Sequence, residues 1–374
     1  MDLDFTPEQE ELRDAVRTLL ERECPPALVR GVVEGTQTSD DLWKRMVDLD
    51  WPALTVPEDS GGMGLGFVEL AVVVEELGRV AAPGPLLASV SQFAPVVRET
   101  GDEAQRQRFL GPIAAGERSG TLAFAEDQGR WHPASVRTTL APSGDGWLLD
   151  GTKRWVLDEE ADDTAVVARL PDTSGDEGIA VAVVPRSMAR RQEVQSFDAS
   201  RTWSTLEFDK VPVDADCVLG EPGAAAPAVL RALDEAVTAL ALEMLGTCQT
   251  IFSVALQYAQ DREQFGVPIG TFQAVKHKLA DMHVALERAR ATAYFAAATI
   301  AEDDERRTLA ASMAKAAAGE AQRVIAQEGI QLLGGIGYTW EHDMHLWVKR
   351  VKSGNAVFGT AADHRQRIFE LANA

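Results

Sequence analysis

Residues 261–273 read DREQFGVPIGTFQ, thirteen positions holding two glycines, a proline, an arginine and two phenylalanines. The stretch lies between two long apolar-periodic runs. Upstream, Val237, Leu240, Met244, Cys248, Ile251, Ala255 and Tyr258 recur at helical spacing, and downstream Val275, Leu279, Met282, Leu286 and Ala289 do the same. Glycine and proline suit a helix-to-helix turn. A turn does not need an arginine beside glutamine and phenylalanine, which leaves open at this point whether the stretch only connects or also holds something. A third run, from Leu309 to Leu333, completes a set of long helices with short connections, which reads as an antiparallel bundle.

Outward from the bundle the texture changes twice. As far as about Gly116 the patterns are helical: Thr6 is placed to cap, Pro7 suits a first turn, and Leu12, Val16, Leu19 and Leu20 follow at helical spacing. Between Ser119 and about Pro212 come short segments rich in β-branched and aromatic residues, bounded by Gly, Asp or Pro. Examples are GTLAFAE, GWLLDGTKRWVLD, DTAVVARL, GIAVAVVP and STLEFDKVPV. These predict a small antiparallel sheet or barrel. The expected fold is α+β: an N-terminal helical domain (1–118), a central antiparallel β-barrel or sheet domain (119–216) and a C-terminal four-helix bundle (217–374).

The chain has 374 residues, 45% hydrophobic and 25% charged, with a formal net charge of −22. That acidity argues against nucleic acid, since phosphate backbones would be repelled. Cys24, Cys217 and Cys248 are scattered without ligand spacing and read as reduced core thiols. The N-terminus lacks a basic segment followed by an apolar stretch, and no apolar run looks long enough to span a bilayer, so a cytoplasmic protein is expected. His342 and His345 in WEHDMHLW lack further inward ligands, and no metal is expected. The basic cluster at 186–191 reads as a loop beside the β region.

REQFGVPIGTFQAVKHKLADM, QLLGGIGYTWEHD and the later FGT, in that order and spacing, resemble the acyl-CoA dehydrogenase family. DGWLLDGTKRWVLD resembles that family's glycine-rich hairpin leading to a tryptophan beside the flavin, here Trp155. The resemblance spans essentially the whole chain. It implies FAD, α,β-desaturation of an acyl-CoA thioester, and a tetramer built on the C-terminal bundle, either homotetrameric or formed with a homologous subunit. An electron-transfer flavoprotein or similar acceptor would take the electrons. It also implies that Arg262 reaches the FAD pyrophosphate of a neighbouring subunit, for which a planar fork of donors is suited. Phe265 would pack beside the dinucleotide and Gln273 would supply an amide. Gln331, Gly334 and Gly335 would let backbone approach the same ligand. Thr360, Gly359 and Trp155 keep the family identity.

Other positions depart from the family. Its base is a carboxylate in a tyrosine-glutamate-glycine-threonine stretch, and the matching residues are Val357, Phe358, Gly359 and Thr360. Phenylalanine cannot titrate. A second family position for the base falls on Ala236, and Glu235 beside it lies about 100° around a helix. Glu243 is the only charged residue between 237 and 260. It is the candidate base if burial among apolar side chains raises its pKa. The alternative is a structural glutamate that meets water or an arginine. Ala125 and Leu157 stand where the family has threonines near the flavin. Two functions follow from the resemblance: a desaturating dehydrogenase using Glu243, or a subunit without its own base that completes a partner's FAD site.

Overall fold

The computed structural model describes residues 5–158 and 160–373. Its first helices are α1 (Pro7–Glu23), α2 (Pro26–Val33), α3 (Asp40–Val47), α4 (Phe67–Arg79), α5 (Leu86–Ala88), α6 (Ala94–Thr100) and α7 (Glu103–Ala114). α1 begins as its sequence predicts. The Thr6 hydroxyl accepts from the Gln9 N–H, the Gln9 side chain accepts from the Thr6 N–H, and Pro7 fills a position whose N–H would have no helical partner.

The strands follow: β1 (Gly120–Ala123), β2 (Thr139–Ser143), β3 (Gly146–Leu157), β4 (Asp163–Arg169), β5 (Ile179–Pro185), β6 (Arg190–Glu193) and β7 (Trp203–Val213). They form one curled sheet in the order β1-β4-β2-β3-β7-β6, with β5 also paired to β4. Most pairs are antiparallel, as expected, but β1 and β2 run parallel to β4. Alternate residues such as Leu140, Leu149, Val166, Ala180, Leu206 and Phe208 face inward and make a fully buried apolar core. The basic cluster read as a loop contains β6. Arg190 and Arg191 lie on a sheet edge, where charge discourages further strand pairing.

The bundle comprises α8 (Ala226–Asp261), α9 (Gln273–Ala301), α10 (Arg307–Leu333), α11 (Met344–Ala356) and α12 (Ala361–Ala372). One expectation is corrected here. α8 contains a window of mean hydropathy 1.5, long and apolar enough by composition to cross a membrane, although 67% of that window is buried in the fold. The chain divides into two compact units, each drawn from separated segments. One takes the residues up to Thr38, Phe67–Pro83 and everything from Val237; the other takes Ser39–Gly66 and Gly84–Ala236. In the first unit α4 crosses α8 at two glycines. A Cβ on Gly246 would lie 1.9 Å from the Glu75 carbonyl oxygen, and one on Gly78 would lie 2.1 Å from that of Glu243. Only glycine permits backbones this close.

Candidate functional site

The candidate residues fall into two groups, one carried by each unit. In the β-containing unit the central feature is a bulge in β3. Its register against β7 shifts between Lys153 and Val156, and Trp155 adopts φ +56°. A bulge turns a side chain away from the pleat. Trp155 is accordingly 49% exposed, while Val156 on the same strand is fully buried.

The bulge is held from below. Lys153 is completely buried, and its Nζ donates to the Phe124 carbonyl (3.0 Å) and to Glu126 Oε1 (2.8 Å). Glu126 accepts in addition from the Arg137 N–H and from the Thr138 N–H and hydroxyl. The Arg154 N–H donates to the Ala125 carbonyl at 2.8 Å. Burial lowers the Lys153 pKa to about 8 while Glu126 pushes it back up. Burial raises the Glu126 carboxyl, but Lys153 and the donated hydrogen bonds outweigh it and leave a net lowering. Neither residue was singled out in the sequence. The available signal was a lysine within an apolar strand pattern that also contains an exposed tryptophan.

Ala125 and Leu157 lie with their side chains turned into the core. Ala125 is 0% exposed and Leu157 6%, with Leu157 paired opposite Trp203 in β7. Any contact of these two positions with a ligand would run chiefly through their backbone.

In the bundle unit, 261–273 forms a turn with its own hairpin, β8 (Glu263–Gln264) and β9 (Val267–Pro268). Phe265 (φ +57°) and Gly266 (φ +82°) are its two central residues. Left-handed backbone at both is the mark of a type I′ turn. Phe265 is 93% exposed, with its ring edge-on to Phe272. Arg262 is exposed, and among the described residues its guanidinium has neither a hydrogen-bond partner nor an ion-pair partner. Gln273 opens α9 with its side chain exposed. Gln331 lies exposed near the end of α10. Gly334 and Gly335 follow with nothing within 4 Å of where a Cβ would stand. An unpartnered arginine, exposed amides and open glycine backbone are what a dinucleotide needs, so these residues fit FAD.

Glu243 does not fit the role of a base. Its Oε1 accepts from Arg350 Nη1 at 2.9 Å, and both side chains are 2% exposed. Arg350 also donates to the carbonyls of Ala82 (3.0 Å) and Ala81 (3.1 Å). The expectation of a carboxylate isolated among apolar side chains is therefore corrected. Glu243 is half of a buried ion pair, with no surface through which to take a substrate's proton. Glu235 is likewise committed, to Arg98.

The segment 357–360 links α11 to α12. Phe358 (φ +57°) and Gly359 (φ +99°) make a left-handed turn, and Phe358 is 4% exposed. Thr360 caps α12: its hydroxyl accepts from the Asp363 N–H and donates its proton to Asp363 Oδ2 at 2.7 Å. That proton is not available to a ligand. At the opposite end of α11, His342 Nδ1 accepts from the Met344 N–H and His345 stacks on Trp340. Among the described residues no group of three or more His, Cys, Asp or Glu is placed to hold a metal. Of the cysteines, Cys24 and Cys248 are buried and Cys217 is only partly so.

The family model for the acyl-CoA dehydrogenase N-terminal domain matches residues 6–117, and that for the C-terminal domain matches 226–371. The mitochondrial short-chain specific acyl-CoA dehydrogenase of Bos taurus is 31% identical over 338 residues, covering 88% of this chain and 81% of the relative. Butyryl-CoA dehydrogenase from Megasphaera elsdenii superposes with a TM-score of 0.92 at 25% identity, covering 100% of both chains. A chain from the ChsE4-ChsE5 complex of Mycobacterium tuberculosis gives 0.90 at 26% identity, again covering 100% of both. With the helical, β and bundle elements in the order and geometry described, the chain belongs to the acyl-CoA dehydrogenase family.

Proposed function

We propose that in this FAD-dependent acyl-CoA dehydrogenase the turn at 357–360 carries no base. The family reaction is α,β-desaturation of an acyl-CoA thioester. FAD, when bound, supplies the hydride acceptor. The chain's part is to bind and orient. Arg262 would meet pyrophosphate with paired donors, Gln273 and Gln331 would offer amides, and Gly334 and Gly335 would admit ligand close to the backbone. Trp155, turned outward by its bulge, would offer an apolar face to the flavin.

One observation carries the departure. Phe358 occupies the turn where the family's glutamate is expected, Ala236 leaves the second position apolar, and Glu243 is held by Arg350. Phe358→Glu should therefore raise desaturation by roughly the 10²–10⁴-fold that a general base contributes. No gain in a folded, flavin-loaded variant would sink the assignment of 358 as the vacant position. Arg262→Ala should weaken FAD retention by about 1.5–3 kcal/mol, the scale of a hydrogen bond to a charged group. Unchanged retention would remove Arg262 from the flavin site.

A second reading is a subunit without its own base. The residues that would serve a neighbour's FAD are exposed and unpartnered, whereas no carboxylate is free at the chain's own base positions. A heterotetramer with a homologous, base-bearing subunit accounts for both facts. The electrons then pass to an electron-transfer flavoprotein or similar acceptor. Turnover by the chain alone, compared with turnover after mixing with such a subunit, separates the two readings. Activity that is full in isolation removes the second.

A further inference from the structure

We propose that Lys315 and His364 are positioning residues that grip the backbone of the Phe358 turn by two consecutive carbonyls and fix it toward the flavin. Lys315 lies on α10 and is 0% exposed. Its Nζ donates to the Gly359 carbonyl at 2.7 Å and to the Asn355 carbonyl at 3.2 Å. Asn355 is next to last in α11, so the lysine also satisfies a carbonyl left without a helical partner at that end. From α12, His364 donates from Nε2 to the Phe358 carbonyl at 2.9 Å. Two consecutive carbonyls of a left-handed turn are thereby held by two helices.

The grip depends on close approach. Gly319 lies one turn along α10 from Lys315, on the same face. A Cβ there would stand 2.6 Å from Asn355 Oδ1 and 2.7 Å from the Ala361 Cβ. Glycine lets α10 press against 355–361 closely enough for Lys315 to reach both carbonyls. Gly359 itself stands at φ +99°, with His364 Nε2 only 3.3 Å from where its Cβ would be. A side chain there would be strained by conformation and crowded by the histidine.

The two side chains are unusual choices for mere packing. His364 Nδ1 is buried without a partner, so the ring stays neutral with its single proton on Nε2, aimed at Phe358. Lys315 has no carboxylate within ion-pair distance among the described residues; Asp363 acts on it only from farther away. A methionine would fill the same space without the cost of desolvating an amine. What the amine adds is hydrogen bonds to a backbone that must keep one shape. The role toward the flavin rests on the family reading of 357–360, whereas the grip itself does not.

The test uses the FAD-loaded protein and three variants. Lys315→Met and His364→Ala should fold and keep one FAD per chain, while amides in 357–360 exchange hydrogen at least tenfold faster. His364→Gln, which keeps an N–H for the Phe358 carbonyl, should restore slow exchange. In the two loosened variants the visible flavin spectrum and reduction potential should shift, readouts that a purely structural change remote from flavin would leave alone. Unchanged exchange overturns the grip. Faster exchange with unaltered spectrum and potential overturns the positioning role. A wild-type chain that cannot be loaded with FAD fails the functional reading and the positioning role together, and exchange then decides the grip alone.

Discussion

Two completely buried lysines, one in each unit, do the same mechanical work in different electrostatic settings. Lys153 braces the bulge that presents Trp155 (φ +56°), and Lys315 braces the turn that carries Phe358 (φ +57°). Lys153 holds the Phe124 carbonyl and Lys315 those of Asn355 and Gly359, each near a non-glycine residue in the left-handed region, a conformation that persists only when its surroundings over-determine it. Lys153 meets a carboxylate that four other donated hydrogen bonds also hold. Lys315 meets carbonyls alone. The difference shows what a buried charge requires. With a counter-charge the pair is costly to break, and without one only backbone carbonyls offset the burial of the amine.

The sharpest way to break the contrast is truncation. Lys153→Met leaves Glu126 largely buried without its cation, and removing one partner of such a pair costs about 3–5 kcal/mol. Lys315→Met orphans carbonyls but also removes an uncompensated amine, so its net cost should be much smaller. Denaturant unfolding of the two variants checks this, and equal losses would erase the distinction. The Arg350–Glu243 pair belongs with Lys153. Glu243→Gln should cost stability on a similar scale, and any fall in turnover should follow the folded fraction rather than exceed it.

pH probes both lysines next, since burial lowers Lys153 to about 8 and Lys315 to about 7. Burial depresses Lys315 from 10.5 to about 7, with Asp363 opposing. The unfolded state therefore holds more protons than the folded state between those values, and stability is lost as pH falls from about 10.5 to about 7. Lys315→Met removes this dependence. The gap between wild type and variant should change by on the order of 3 kcal/mol between pH 7 and 10, read from unfolding midpoints. A gap independent of pH would place the lysine in a wetter setting than its burial indicates.

His364 gives a smaller effect in a different window. Burial, then Lys315, lower it from 6.5 to about 4, so its contribution is intact above 6.5 and lost as pH falls toward 4. His364→Gln should flatten the acid side of the stability profile by on the order of 2 kcal/mol. A profile that stays as steep would assign the acid sensitivity to other groups. Smallest is Thr360→Ala, which removes the α12 cap and should cost about 1 kcal/mol in thermal unfolding. A loss several times larger would mean that the cap, rather than Lys315 and His364, sets the turn.

The sequence by itself determined the order of helices, strands and bundle, the capped start at Thr6, and the turn at 261–273. These are written in local periods, caps and turn residues whose meaning does not depend on distant partners. The family motifs single out Arg262, Gln273, Gln331 and the two glycines from local sequence, and the fold leaves all five exposed. Only the tertiary structure decided the fate of the buried charges. Glu243 and Arg350 are 107 residues apart in sequence, and Lys315 is 44 from the carbonyl that it holds. Nothing local to ALALEMLG could show that an arginine waits opposite its glutamate, nor could SMAKAAAG show that its lysine reaches a turn. A charge in an apolar run is a base, a strut or a clasp according to what the fold brings within about 3 Å of it, because at that distance a hydrogen bond replaces the water that burial removed.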